Sequence, residues 1–158
     1  MRSTRWAGTD RRLVTAKGAC PLFSPAGPEV LPPAEIDFSA FPPAKPRIVG
    51  HRAKWQADSF EYHHTPRRFD FPPSDHPLLE QLRHLAQQCW TLFGLRGWVR
   101  VDFRVDAAGR PWILEINANP CLTPDAGFAA ALGQASIPFD DAIQRILDDC
   151  VMYSSRSA

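Results

Sequence analysis

The chain has 158 residues, a length that suits a single domain. Hydrophobic residues make up 44% of the chain, which is enough to build a core. Eighteen Lys and Arg oppose 17 Asp and Glu, and the net charge of +1 is too small for bulk binding to nucleic acid or an anionic membrane. No apolar run approaches the roughly 18 residues of a membrane span. We therefore expect a globular protein that binds neither nucleic acid nor a membrane.

The N-terminal residues 1–27 receive no structural assignment. They show no sustained periodicity, and their prolines and glycines interrupt any element. They lack the apolar stretch of a signal peptide, and their Arg-rich, acid-poor composition leaves a transit peptide as an alternative. The chain has 16 prolines, and most of them precede Pro77. We expect residues 1–27 to be a poorly ordered, solvated segment.

The region before Pro77 contains only weak strand signals. Residues 30–31 and 36–38 suggest one short strand that a pair of prolines breaks. Residues 48–50 and 60–62 are further weak strand candidates.

The clearest helix covers residues 78–93. Ser74 or Asp75 can cap it, Pro77 suits its first turn, and Gly94 is placed to end it. Its apolar residues recur at i, i+3 and i+4 spacing, so we expect one buried face.

The C-terminal half predicts a β-hairpin followed by two helices. Residues 98–105 alternate between apolar and polar types, and residues 111–117 form the return strand. An Ala-rich helix is predicted at about residues 124–132, and a second helix at about 138–152. The expected fold class is α/β of the α+β type, with an antiparallel sheet flanked by helices.

The predicted hairpin gathers polar residues on one sheet face. If residues 106–109 form the loop, Arg100 lies opposite Glu115 and Asp102 lies opposite Ile113. Asp102 and Glu115 are then diagonal neighbours on one face, and Asn117 continues that face. A three-residue loop would instead place Asp102 and Glu115 on opposite faces.

Two carboxylates and an amide oxygen on one face suit Mg²⁺, which prefers hard oxygen ligands and completes its shell with water and phosphates. The planar guanidinium of Arg100 can also donate two hydrogen bonds to a carboxylate or a phosphate. The alternative is a solvated β face with an Arg–Glu pair. The Asn117-Ala-Asn-Pro120 turn that follows favours the metal site over that alternative.

These residues carry a family resemblance. The R-x-D motif at Arg100, followed thirteen residues after its Asp by E-x-N-x-N-P at Glu115, resembles the C-terminal signature of ATP-grasp ligases. It is most similar to the D-alanine–D-alanine ligase branch. Upstream, the sequences at Glu29 and Lys54 resemble that branch's E-x-L-P segment and its A-K-[YW] loop. The resemblance covers residues 28–152, which we expect to form a partial ATP-grasp domain, with residues 153–158 as a tail.

The resemblance implies a role for each matching residue. Asp102 and Glu115 would bind one Mg²⁺, Glu115 and Asn117 a second, and both ions, for which Mn²⁺ can substitute, would bridge ATP phosphates. Lys54 would reach the γ-phosphate from a mobile loop. Arg100 would stabilise the negative intermediate that forms when an amine attacks an acyl phosphate.

The same resemblance implies an ATP- and Mg²⁺-dependent carboxylate–amine ligase that acts on small amino-acid-like substrates. Cys121 replaces the family's Gly, and residues 124–127 lack its Ser, so D-alanine itself stays open as the acceptor. The adenine-facing half of the family's domain is expected to lie outside this chain, in a missing N-terminal half or a second chain. Whether the chain alone is an enzyme is therefore open. The alternative is a catalytically silent remnant that binds a nucleotide or a partner and exposes an apolar surface.

The cysteines predict a reducing compartment. They form no CxxC pair and fit no zinc motif, and a disulfide framework is not expected. They are Cys20, Cys89, Cys121 and Cys150. Together with the resemblance, this predicts a cytoplasmic location.

Overall fold

The computed structural model of the chain describes residues 12–19 and 28–154. Its strands form one antiparallel sheet of five, in the order β3-β2-β1-β4-β5. The strands are β1 (Arg12–Ala19), β2 (Glu29–Ile36), β3 (Arg67–Arg68), β4 (Trp98–Val105) and β5 (Pro111–Asn117). The helices are α1 (His51–Trp55), α2 (Phe60–His63), α3 (His76–Leu92), α4 (Gly127–Gln134) and α5 (Phe139–Ser154). The predicted fold class, an antiparallel sheet flanked by helices, is confirmed.

Helices cover both faces of the sheet. The apolar residues of β4 pack against α3 on one face, with Phe103 at their centre. Leu31 of β2 packs against α4 and α5 on the other face, together with the partly buried Trp98. Successive side chains of a strand point to opposite faces, so the alternation of β4 leaves its polar residues on the α4–α5 face. None of the helices in the described residues is both long and apolar enough to cross a membrane.

Helix α3 begins and ends almost where the sequence predicts. Pro77 lies in its first turn. Asp75 occupies the N-cap position, but its carboxylate pairs with Arg12 at 2.6 Å and does not cap the helix. Gly94 follows the C-cap with φ +57°, and the N–H groups of Gly94 and Leu95 bond back to carbonyls of the last turn. This closure satisfies carbonyls that a helix end otherwise leaves without partners.

Strand β1 was not predicted from the sequence. It lies between β2 and β4 in the middle of the sheet, whereas residues 1–27 were expected to be poorly ordered. Its alternation is weak because Lys17, Gly18 and two alanines interrupt the β-branched residues. The other residues of that segment lie outside the described part of the chain. The structured domain therefore includes residues N-terminal to the predicted boundary at residue 28.

Three other predictions between residues 28 and 66 are corrected by the structure. Strand β2 continues through its proline pair because a register shift against β1 leaves an extra residue on β2 at the prolines, which lack an N–H to donate. Residues 60–62 belong to α2, whose first turn is capped by the Ser59 hydroxyl. Residues 48–50 lie in a loop.

Candidate active site

A five-residue loop connects the two strands of the hairpin. Val105 pairs with Pro111, so the predicted four-residue loop is one residue too short. Asp106 holds this loop together: one oxygen of its carboxylate accepts the N–H groups of Ala108 and Arg110, at 2.9 and 3.0 Å. The other oxygen accepts from the Trp112 indole at 3.1 Å. Backbone hydrogen bonding from Arg110 and the contact with Trp112 lower the pKa of Asp106 to about 2.

A β-bulge then resets the register of the hairpin. Phe103 pairs with Ile113, but Asp102 pairs with Glu115, so Leu114 is an extra residue on β5. The predicted pairing of Arg100 with Glu115 is wrong, because Arg100 lies opposite Asn117. The five-residue loop alone would have moved Glu115 to the other face. The bulge reverses that change, so the predicted shared face exists with a different register.

Arg100 bridges the two carboxylates on this face. Its Nε lies 2.9 Å and 3.1 Å from the two carboxylate oxygens of Asp102. Its Nη2 lies 3.7 Å from Oε2 of Glu115. The Asp102 side chain is 15% exposed and that of Glu115 is 54% exposed. The pair therefore offers one largely covered carboxylate and one half-exposed carboxylate beside the Arg100 guanidinium.

Asn117 shapes the turn that leaves β5. Its Oδ1 accepts the backbone N–H of Asn119 at 2.9 Å. The Trp98 indole donates to the carbonyl of Pro120 at 2.8 Å, which ties the turn to β4. An amide oxygen has two lone pairs, so Asn117 can hold this turn and still offer a lone pair to a cation.

The four residues Arg100, Asp102, Glu115 and Asn117 form a polar band on this sheet face. Other parts of the fold border the band at both ends. Helices α4 and α5 pack around the Trp98 end of the face. At the other end, Nη2 of Arg104 donates to the carbonyl of Arg47 at 2.6 Å, so the segment before α1 approaches the sheet there. β1 borders the band along its length, with Thr15 opposite Asp102 and Lys17 opposite Arg100 in the backbone register. Sequence reasoning missed these two positions because it did not predict β1.

Lys54 lies apart from this group. It is exposed on α1, a short helical turn where a mobile loop was predicted. Within the described residues, no hydrogen bond or ion pair joins Lys54 to Arg100, Asp102, Glu115 or Asn117.

Glu61 of α2 anchors the segment that carries Lys54. It binds Lys45 at 2.7 Å and Arg52 of α1 at 3.1 Å. The hydrogen bond from Lys45 is the main reason that the pKa of Glu61 falls to about 2. Sequence reasoning missed Glu61, although its position within a cluster of basic residues was a usable signal.

The donor set of the polar band fits a hard divalent cation. No group of three or more His, Cys, Asp or Glu side chains suited to a metal occurs in the described residues. Asp102 and Glu115 are nevertheless directly paired, and the Asn117 oxygen lies on the same face. Mg²⁺ commonly takes one or two protein carboxylates and fills its other positions with water and phosphate oxygens. The band therefore presents oxygen donors of the kind that such an ion takes from a protein.

Two of the cysteines can be assessed. Cys89 is buried, and burial raises the pKa of its thiol. Cys121 is exposed just after the Asn117 turn, and a hydrogen bond with Thr123 at 3.2 Å lowers the pKa of its thiol. Neither forms a disulfide. Cys20 and the side chain of Cys150 lie outside the described residues.

Comparison with known proteins identifies the class. The fold matches the C-terminal part of ATP-grasp D-alanine–D-alanine ligases. The model of the family "D-ala D-ala ligase C-terminus" matches residues 57–148. This is more than half of the chain, which therefore belongs to that family, as the sequence motifs predicted.

Curated relatives agree with this assignment. The chain is 41% identical over 70 residues to a D-alanine–D-alanine ligase of Alkalilimnicola ehrlichii, covering 44% of this chain and 22% of the relative. It is 32% identical over 96 residues to the same enzyme of Methylococcus capsulatus, covering 61% and 29%. The match thus spans less than a third of either relative.

Solved structures support the fold. The D-alanine–D-alanine ligase of Coxiella burnetii aligns with a TM-score of 0.67 at 14% identity, over 96% of this chain and 35% of that one. The Bacillus anthracis ligase complexed with ATP aligns with a TM-score of 0.63 at 16% identity, over 92% and 38%.

Proposed function

We propose that this chain supplies the metal- and phosphate-binding part of an ATP- and Mg²⁺-dependent ligase that joins a carboxylate to an amine. The observation that carries the proposal is the direct pairing of Asp102 with Glu115, on a face that also holds Asn117 and Arg100. The names of the relatives, and the ATP bound to one of their structures, support the same chemistry.

In this proposal Asp102, Glu115 and Asn117 would hold Mg²⁺. The bound ion supplies neutralising charge for phosphoryl transfer, a reaction that depends largely on positioning and electrostatics. A substrate carboxylate receives the terminal phosphoryl group of ATP, and an amine then displaces phosphate to form an amide bond. Arg100 stabilises the negative charge that develops on the attacked carbon's oxygen, because a planar guanidinium can donate two hydrogen bonds at once.

Lys54 is assigned to the terminal phosphate. It forms no ion pair within the described residues, so no internal carboxylate competes for its charge. Its flexible stem suits a point contact with a phosphate oxygen. The ligase as a whole would act on small amino-acid-like substrates, and the adenine-binding half would come from another part of the protein or from a partner.

Calorimetry of Mg-ATP binding tests this proposal. We expect Glu115→Ala to weaken binding at least about tenfold, since it removes one of two paired carboxylates from the metal site. Lys54→Gln should also weaken binding, by a smaller factor. The matched control is Glu80→Ala on α3, where the exposed carboxylate pairs with Arg83 at 3.7 Å. Indistinguishable isotherms for wild type and Glu115→Ala would contradict the metal site.

A second candidate function is a binding module without catalysis. The observation that favours it is an apolar run on β5, where Trp112, Ile113 and Leu114 are 47%, 46% and 56% exposed. Such a run on an edge strand is suited to contact with a partner. Measuring phosphate release from ATP, with amino acids as substrates, distinguishes the ligase from the binding module. Turnover by the chain alone would contradict the module, and Mg-ATP binding without turnover would support it.

A further inference from the structure

Arg100 contacts both carboxylates that the proposed function assigns to a metal ion. Its Nε lies within 3.1 Å of both oxygens of Asp102, and its Nη2 extends toward Glu115. The side chains of Arg100 and Asp102 are 23% and 15% exposed, so water screens this contact only in part. The guanidinium is thus an internal counter-charge of the paired carboxylates.

A divalent cation and this guanidinium would compete for Asp102. The Nε–H of Arg100 is shared by both Asp102 oxygens, and although each oxygen keeps a second lone pair, the hydrogen bond withdraws negative charge that a cation would otherwise use. The two positive charges also repel each other at short range. Metal binding therefore becomes more favourable when Arg100 moves off Asp102.

We infer that Arg100 is a built-in competitor for the metal, so that metal binding and release of the guanidinium are one coupled event. This inference rests on the proposed function. It gives Arg100 two successive partners: the Asp102 carboxylate before metal binding, and anionic substrate oxygens afterwards. The coupling would deliver the free guanidinium to the site only when the cation, and the phosphates it attracts, are in place.

Mn²⁺ binding to the full chain tests the coupling. The free ion is followed by electron paramagnetic resonance without nucleotide, and Mn²⁺ stands in for Mg²⁺ because both prefer oxygen ligands. We expect Arg100→Gln to bind Mn²⁺ roughly tenfold more tightly than wild type, because it removes a neighbouring positive charge. Arg100→Lys keeps the charge, so it should stay close to wild type.

Arg110→Gln is the matched control. Arg110 also binds an aspartate through Nε, at 3.0 Å from Asp106, but it lies in the loop of the same hairpin and away from the paired carboxylates. Its removal should leave Mn²⁺ affinity unchanged. If Arg110→Gln tightened binding as much as Arg100→Gln, a general loss of positive charge would explain the result and the inference would be overturned.

The other outcomes separate the inference from the proposed function. Wild type that binds Mn²⁺, with Arg100→Gln equal or weaker, overturns the inference alone. Absence of binding in both proteins overturns the metal site as well. Tight binding by Arg100→Gln where wild type binds weakly supports both.

A measurement on wild type tests the inference even if a variant fails to fold. In a nitrogen-15-labelled sample, the Nε–H resonance of Arg100, identified by its loss in Arg100→Lys, should shift during Mg²⁺ titration. The Arg110 resonance should not move. An Arg100 resonance that stays unchanged while Mg²⁺ binds would overturn the inference.

Discussion

Asp106 shows how a single side chain can determine the geometry of the hairpin. Its carboxylate collects two backbone N–H groups of the loop, the Trp112 indole and the Arg110 guanidinium. These donors favour the charged form, which is why the pKa of Asp106 falls from its ordinary 3.8 to about 2. Because the loop determines where the return strand begins, this residue helps to position Glu115 although it is not part of the polar band.

The first prediction concerns Asp106 and pH. A depressed pKa means that the charge stabilises the fold above the ordinary pKa of 3.8, and that this stabilisation is lost as the pH falls toward about 2. At neutral pH, Asp106→Asn should lower the Tm by a few degrees. The difference from wild type should shrink between pH 3.8 and about 2. Thermal unfolding followed by circular dichroism measures both effects.

Asp58→Asn provides the comparison for that measurement, because Asp58 is exposed. It should change the Tm little at any pH. A difference between wild type and Asp106→Asn that stayed constant down to pH 2 would show that the charge of Asp106 contributes nothing.

At the scale of elements, two glycines have opposite roles. Gly94 follows α3 with φ +57°, in the left-handed region where a side chain is strained, whereas Gly133 lies within α4 without a positive φ. A Cβ added at either position would meet nothing within 4 Å. Backbone conformation alone therefore separates the two sites.

The second prediction follows from that contrast. Gly94→Ala should destabilise the fold by about 1–2 kcal/mol, which is the cost of a left-handed conformation for a residue with a side chain. Gly133→Ala should stabilise it by about 0.5–1 kcal/mol, because alanine loses less backbone entropy in a helix. Denaturant unfolding of both variants measures the free energy of unfolding. The same sign for both changes would contradict the backbone argument.

In the hairpin, the sequence predicts the bounds of the strands but does not predict how they pair. The bounds of β4 and β5 follow from alternation and from the turn residues, and the structure confirms both. The pairing does not follow, because it depends on one residue more in the loop and one extra residue at Leu114. The longer loop would move Glu115 to the opposite face of the sheet, and the extra residue at Leu114 returns it. Asp102, Glu115 and Asn117 therefore share a face as predicted, whereas Ile113 lies opposite Phe103 on the other face and the predicted cross-strand pairs are wrong.

At the scale of the whole molecule, two apolar clusters hold the sheet between helix layers. Phe103 is fully buried in the cluster beneath α3, and Phe128 is buried in the cluster beneath α4 and α5. β4 joins the two clusters, since its apolar face contributes to the first and Trp98 to the second. Part of the polar band thus lies on a strand that contributes to both apolar clusters.

The third prediction tests this packing. Phe103→Ala should cost about 3–5 kcal/mol of stability, the usual result of emptying a large buried site. Phe93→Ala should change stability by no more than about 0.5 kcal/mol, because Phe93 is 61% exposed. Chemical denaturation of both variants provides the measurement. A small effect at Phe103 would mean that β4 is not the centre of the core.

By itself, the sequence determined the local features of this protein: α3, the two hairpin strands, the face shared by Asp102, Glu115 and Asn117, and the family. Each depends on periodicity or on a motif whose residues lie close together in the chain. Tertiary structure alone decided that β1 lies in the sheet, because β1 pairs with strands remote in sequence and its own pattern is weak. It also decided that Arg100 bridges Asp102 and Glu115, because that contact depends on the register, and the bulge that sets the register arises only when the strands pair.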